Sequence, residues 1–424
     1  MKKSNQNTKF FLALVIFSLV GQVAWVVENM YLNVFIYKMF RASAEQISLM
    51  VGASAVAATV TTLLVGALSD KVGKRKIFIC GGYILWGISI LGFAAIRAEW
   101  IGALNLCVTL TIALDCVMTF FGSSANDAAF NAWLTDNTNE TNRGRVEGIN
   151  SMMPLVAILV VFGGFMGLNQ DLQESWTVIF CVIGGVVMLL GVAGIFLIRD
   201  AVGKTEGNAH YFANIFYGFR PSVIRANGIF YIALLVFALF NIAIQIFMPY
   251  LILYYTESLK LSNYVLIMAP AILLAAAFTA VYGKVYDQKG FRFAVIPAMG
   301  LLVAGVALLC VFRQTALVFV GSLLMMGGYL SGMAMFGALI RDYTPENKAG
   351  MFQGLRICFQ VLIPGIVGPA IGAAVLRSAE TVLNADGTTS FIPNANIFLA
   401  ALVAAGVTIL GILPLCKLLK KQST

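Results

Sequence analysis

The sequence predicts an all-α membrane protein with twelve transmembrane helices in two pseudo-symmetric six-helix bundles. Three observations lead there. Apolar runs recur from end to end, positive charge gathers in alternate loops, and two loop patterns of the first half return in the second. The chain of 424 residues is 60% hydrophobic and 11% charged, about half the charged share of a soluble protein. Runs of roughly 20 apolar residues match the thickness of a hydrocarbon core. They lie near 10–38, 44–68, 77–97, 101–133, 145–168, 176–198, 226–256, 262–283, 293–312, 317–340, 351–376 and 395–416. Spans four and seven are long enough to tilt or to project past the bilayer.

The net charge of +9 reads as topology rather than as a nucleic-acid footprint. With both termini cytoplasmic, all but six of the 28 Lys and Arg fall on the inner side; the exceptions are Lys38, Arg41, Arg97, Lys260, Arg313 and Arg377. This asymmetry predicts an even number of spans in the cell inner (cytoplasmic) membrane, with lipid as the surroundings and no nucleic-acid partner. Trp100 and Trp176 begin spans on the outer side, where an indole is expected at the interface. The seven cysteines (Cys80, Cys107, Cys116, Cys181, Cys310, Cys358, Cys416) form no CxxC pair and read as small packing residues. The basic N-terminus opens a long apolar run with eleven more behind it, so an uncleaved first helix is expected rather than a signal peptide.

The halves are joined by two repeated patterns. Gly66 to Arg75 after span two and Gly283 to Arg292 after span eight both read G-x3-D-x2-G-x-R, with Asp70, Gly73 and Arg75 answered by Asp287, Gly290 and Arg292. Asp136, Thr138 and Glu140 continuing to Gly144 and Gly148, after span four, match Asp342, Thr344 and Glu346 continuing to Gly350 and Gly354, after span ten. Two patterns in matching loops make a six-plus-six duplication. The expected units are residues 1–198, a cytoplasmic central loop 199–225, and residues 226–424. An Asp opening a turn can cap a helix, and Gly permits tight reversal. Contacts across the halves, Asp70 with Arg356 or Asp287 with Arg145, would close one conformation. Asp70, Gly73, Arg75, Asp136, Arg145, Asp287, Arg292, Asp342 and Arg356 are therefore the expected gate.

On these residues the chain resembles the major facilitator superfamily. The loop from Gly66 to Lys76 looks like that superfamily's signature between helices two and three, with a weaker copy from Gly283 to Arg292. Within it, the segment from Ala132 to Gly148 and the Tyr-bearing end of span one (Tyr31, Tyr37) resemble the glycoside-pentoside-hexuronide:cation symporter family. That resemblance implies the major facilitator fold, solute transport and a functional Asp in helix four, where Asp127 stands. Span two carries no acidic residue between Ile47 and Leu68, where that family binds its cation. Span five carries no charge from Met152 onward, where the family has an Arg.

A polar group inside a span is expensive unless it meets a partner or a wet cavity. In span one Gln22, Trp25, Asn29 and Asn33 share a helical stripe, with Glu28 beside it. Amides and a carboxylate there can bond hydroxyls while the indole stacks on a sugar face; an interhelical seam is the alternative. In span four Asp115, Thr119, Gly122 and Asn126 share one face, and Thr119, Ser123, Asp127 and Asn131 an adjoining one. About 18 Å of helix separates Asp115 from Asp127, so separate roles are expected. Asp127 is the candidate for substrate or cation; Asp115 pairs with another helix or lines an outer vestibule. In the second half Asn241 and Gln245 lie one turn apart before Pro249, and Gln353, Arg356 and Gln360 precede Pro364 and Pro369. The substrate-binding candidates are Gln22, Trp25, Glu28, Asn29, Asp127, Asn131, Asn241, Gln245 and Gln360; the cation-coupling candidates are Asp127, Asp115 and Glu28.

His210, the one histidine, falls in the central loop, so a coupled proton must ride on carboxylates. Gly203-Lys204-Thr205 ends like a P-loop, but Ile198 occupies the place of its first Gly. Neither HExxH nor a serine-nucleophile elbow occurs, and the central loop has room only for an amphipathic helix near 211–219. The expectation is a monomeric secondary transporter and not an enzyme. It needs no metal or cofactor beyond a coupling H+ or Na+, and moves a small solute such as a sugar or glycoside. Efflux of an amphipathic compound and a non-transporting membrane sensor are the alternatives.

Overall fold

In the computed structural model, residues 2–138, 143–200, 217–261, 263–344 and 349–422 are described. Among them, twelve helices are long and apolar enough to cross a membrane. In the first half these are α1 (Lys9–Phe40), α2 (Ala44–Ser69), α3 (Arg75–Phe93), α4 (Leu104–Asp136), α5 (Gly148–Phe165) and α6 (Gln173–Leu197). In the second they are α7 (Gly228–Ser258), α8 (Val265–Lys289), α9 (Phe291–Val311), α10 (Thr315–Asp342), α11 (Gly354–Leu376) and α12 (Asn396–Lys421). The chain groups into two compact units: Met1–Ala42 with Ala53–Phe212, and Ser43–Gly52 with Ala213–Thr424. In the second unit Tyr250 Oη donates to the Ala44 carbonyl at 2.9 Å, and Arg377 pairs with Glu45 at 3.2 Å.

The repeated glycine pattern is a helix stop. Helix α2 continues to Val72 before Gly73, and α8 runs through Asp287 to Lys289 before Gly290. Both glycines take left-handed backbone, with φ of +67° and +73°, where a side chain is strained. In the second repeat the expected Asp cap is not formed: Asp287 sits exposed in the last turn of α8, and α9 starts at Gly290 with no side-chain cap. In the first, Lys74 gives α3 no cap of its own, and the side chain of Asp70 lies outside the described residues.

Helices without a hydrophobic drive between them pack through small residues. A Cβ on Gly87 of α3 would lie 2.5 Å from the Met188 nitrogen and 2.6 Å from the Gly184 oxygen of α6. In the second unit a Cβ on Gly305 of α9 would lie 2.1 Å from the Met325 nitrogen of α10.

Trp176, in the first turn of α6, is fully buried against the protein: it packs against Tyr31, Phe35 and Phe180, and its Nε1 donates to the Gln170 carbonyl at 2.8 Å. Trp100 stays 68% exposed, under the Arg97 guanidinium. Between α11 and α12 lies a hairpin, β1 (Thr381–Leu383) and β2 (Thr389–Phe391), paired antiparallel and turned at Gly387 with φ +77°. Of the central segment, Tyr217–Phe219 forms a 3-10 turn and Pro221–Ala226 a short helix; His210 and 211–216 lie outside the described residues.

Gly87→Val and Gly305→Val are each expected to destabilise by about 1–3 kcal/mol through overpacking. Gly81→Val, at a position where a Cβ meets nothing, should not. Thermal unfolding in detergent measures the difference.

Candidate functional site

The first unit gathers its polar groups where two helices depart from the regular α repeat. Helix α1 contains a π turn at Val27–Tyr31 and α4 a longer π segment at Ser123–Phe130. A π turn inserts a residue into the helix and rotates the residues beyond it, a device common at functional sites. It splits the stripe expected in α1. Gln22 and Trp25 are half-buried and Asn29 is exposed, but Asn33 is buried with its amide donating to the Asn29 carbonyl at 2.9 Å. Asn29 in turn donates to the Trp25 carbonyl at 2.8 Å.

Glu28, 7% exposed, lies in the π turn of α1 and meets two other helices. Ser54 of α2 donates to its Oε1 at 2.6 Å and Thr119 of α4 donates to the same oxygen at 2.8 Å. The two hydroxyl oxygens stand 2.8 Å apart. Glu28 Oε2 is buried with no hydrogen-bond partner. Asp115, on the same α4, is 2% exposed, and its Oδ1 is likewise orphaned. Along α4, Asp115 lies in the regular α segment one turn before Thr119, and Asp127 lies in the π segment beyond it. Sequence reasoning missed Ser54 altogether. A lone serine among Gly, Ala and Val in α2 reads as packing.

Asp127 is half-buried inside the α4 π segment. Ser123 Oγ donates to its Oδ2 at 3.0 Å and Asn126 Nδ2 approaches its Oδ1 at 3.4 Å. Asn131, exposed, donates to the Asp127 carbonyl at 3.1 Å. Behind this group, Tyr83 Oη lies 3.0 Å from both Asn126 Oδ1 and the Phe17 carbonyl, and the rings of Trp25 and Trp86 meet at 4.9 Å. A Cβ on Gly21 would come within 2.6 Å of Asn126 Oδ1. Gly21 therefore admits the Tyr83–Asn126 bond that braces the π segment. Among the described residues, no ion pair involves Glu28, Asp115 or Asp127.

The second-half candidates are dispersed. Asn241 is buried and its amide donates to the Phe237 carbonyl of its own helix at 2.9 Å. Gln245 is half-buried with its stem against Gly368 of α11. Pro249 lies in a 3-10 turn, Met248–Tyr250. Arg356 donates to Gln360 at 3.1 Å, immediately around a π turn at Cys358–Leu362.

Several residues expected at a gate find partners inside their own half. Arg75 pairs with Asp136 at 3.2 Å and donates to Ser69 at 2.6 Å. Asp342 accepts from Tyr286 at 2.6 Å, and Arg292 Nε is buried with no hydrogen-bond partner. The side chains of Asp70 and Arg145 lie outside the described residues, and with them both expected cross-half pairs. Asp200, unanticipated, accepts from the Lys76 backbone nitrogen at 2.8 Å and so caps α3.

Tyr83→Phe should cost about 1 kcal/mol by removing the bond to Asn126. Gly21→Ala should displace Asn126 and reduce solute binding more than Tyr83→Phe does. Ligand-dependent thermal shifts of the two variants test the order.

The sequence profile described as Major Facilitator Superfamily matches residues 10–369. Among curated proteins no match is found. Among solved structures, the nucleoside transporter NupG superposes with TM-score 0.74 at 12% identity, over 95% of this chain and 99% of that one. A bacterial homolog of the human lysosomal transporter Spinster, inward-facing and occupied, gives 0.72 at 15%, over 97% of each. A D-xylose-proton symporter gives 0.68 at 12%, over 95% and 97%. At these identities the likeness is one of fold.

Proposed function

The chain belongs to the major facilitator superfamily, a secondary transporter of small solutes embedded in a membrane and not an enzyme, and we propose that it takes up a sugar or glycoside together with protons. The observation that carries this reading is Asp127: a half-buried carboxylate held by Ser123 and Asn126, with Asn131 one turn on and no cation partner among the described residues. The Trp25 indole offers an apolar face to a sugar ring, and a carboxylate with amides satisfies its hydroxyls. Gln22, Asn29, Asn131, Gln245 and Gln360 are the further groups assigned to the solute. Asn241, whose amide is engaged in its own helix, is assigned to positioning. Among the structural neighbours, a D-xylose-proton symporter has this fold with that activity.

Protons suit the first unit better than sodium. The oxygens around Glu28 stand 2.6–2.8 Å apart, the spacing of hydrogen bonds, and α2 brings a hydroxyl where a metal cation would want another carboxylate. A carboxylate held without a cation can lose its charge by binding a proton, and releases it where water re-enters. In this account, bundles 1–198 and 226–424, joined by 199–225, rock about a midplane site. Both termini face the cytoplasm in the inner membrane, the protein works as a monomer, and the gate residues trade partners as the bundles move.

Proteoliposomes with an inward proton gradient and a panel of radiolabelled mono- and disaccharides test the reading. Uphill accumulation of at least one sugar is expected, weakening as external pH rises. Asp127→Asn should abolish accumulation while counterflow exchange, which needs no net proton movement, continues. Sugar uptake indifferent to the gradient, or accumulation undiminished in Asp127→Asn, would overturn it.

A further inference from the structure

We infer that Gly122 sets the size of sugar the first unit accepts: with no side chain there, the Trp25 indole lies back against α4, and a Cβ would drive it forward into the space of the solute. That a sugar meets the indole rests on the reading above; where the indole lies rests on packing alone. A Cβ on Gly122 would stand 2.7 Å from Trp86 Cε2 and 2.9 Å from Trp25 Cη2, whereas ordinary contact begins near 3.4 Å. Both rings would have to give by about half an ångström or more.

The two rings are not equally free to move. Trp86 is fully buried, with the Tyr83 ring at 5.4 Å and the Trp25 ring at 4.9 Å. Its helix is pinned on two sides. A Cβ on Gly82 would meet the Ala125 Cβ of α4 at 2.6 Å, and one on Gly87 would meet Met188 and Gly184 of α6 at 2.5 and 2.6 Å. Trp86 Nε1 has no hydrogen-bond partner, so packing alone fixes this ring, and that packing has no slack. Trp25 is only half-buried. It is the ring that yields, toward its open side, from which a sugar reaches it.

The contact also sits where both helices change register. Trp25 is the next-to-last residue of the regular part of α1, and the π turn Val27–Tyr31 follows. Gly122 is the last regular residue of α4, and the π segment Ser123–Phe130 follows. Asn29 and Asp127 stand just beyond, on the two irregular segments. Moving the indole forward takes room from a sugar stacked on it while these polar groups stay where they are, so a large sugar loses its fit before a small one. Gly122 touches no solute; it is a positioning residue that acts through Trp25.

Thermal shifts of the full chain in detergent, with pentoses, hexoses and disaccharides as probes, give a dissociation constant for each sugar. Gly122→Ala should weaken the largest sugar the wild type binds, relative to the smallest, by about tenfold or more, the scale of one misplaced methyl in a tight pocket. Gly305→Ala, at an equally tight contact in the second unit, controls for overpacking: it should lower stability and leave the size preference alone. Gly122→Ala/Trp86→Phe, which opens room behind Trp25, should restore the larger sugar. Near-UV circular dichroism reads the Trp25–Trp86 pair without any sugar, and should change in Gly122→Ala but not in Gly305→Ala. A size preference unmoved by Gly122→Ala, or moved as far by Gly305→Ala, would overturn the inference. An altered indole signal in a protein that binds no sugar would keep Gly122 as the positioning residue of Trp25 and remove the sugar reading; sugar binding with neither change would do the reverse.

Discussion

A carboxyl group placed among apolar helices has to find donors or shed its charge, and the first unit is organised around that requirement at Glu28. One of its oxygens receives hydroxyls from α2 and α4, and the other receives nothing. An orphaned buried acceptor costs on the order of 1–3 kcal/mol, more when charged. Three helices must therefore converge to within hydrogen-bond distance at one level. The π turn in α1 brings Glu28 to that level, and the π segment in α4 holds Asp127 with Ser123 and Asn126. Gly21 and Tyr83 brace the second of these, so the backbone irregularity and the side-chain chemistry depend on each other.

The second unit meets the same packing problem with neutral groups. Tyr255 shares a hydrogen bond with Ser322 at 2.7 Å, and Asn241 turns its amide to its own helix. Gln245 lies against Gly368. None of these groups needs a proton to be at ease in an apolar surrounding, which concentrates charge chemistry in the first unit. The loop clasps diverge in the same sense. Where Arg75 pairs with Asp136, the repeat offers Tyr286 to Asp342 and leaves Arg292 Nε without a hydrogen bond. A duplicated scaffold has kept its helix stops at Gly73 and Gly290 while its polar content drifted apart.

Much of this was legible in the sequence because it depends on length and local pattern. The twelve spans need only runs of apolar residues, and their observed ends fall within a few residues of the expected ones. Asp127, Glu28 and Asp115 stood out because an acid in an apolar run has few innocent explanations. The features that stayed hidden depend on the third dimension. A π turn changes backbone bonding without changing composition, so the stripe from Gln22 to Asn33 looked continuous until Asn29 and Asn33 parted. Ser54 is invisible as chemistry until α1 and α4 are seen on either side of it. Trp176 and Trp100 have similar neighbourhoods in sequence, but Trp176 lies among Tyr31, Phe35 and Phe180, and Trp100 under Arg97. The hairpin was announced only by Asp386-Gly387, a turn signal easily overlooked between two long helices.

The central claim is that solute and proton move together through a site whose charge resides on carboxylates of the first unit. Its most direct test is a proton flux measured with no imposed gradient. Sugars are added to weakly buffered, de-energised proteoliposomes and the external pH is followed with an impermeant dye. The account predicts alkalinisation of the medium that begins with sugar entry and saturates with sugar concentration. Sugar entering with no movement of protons would contradict it.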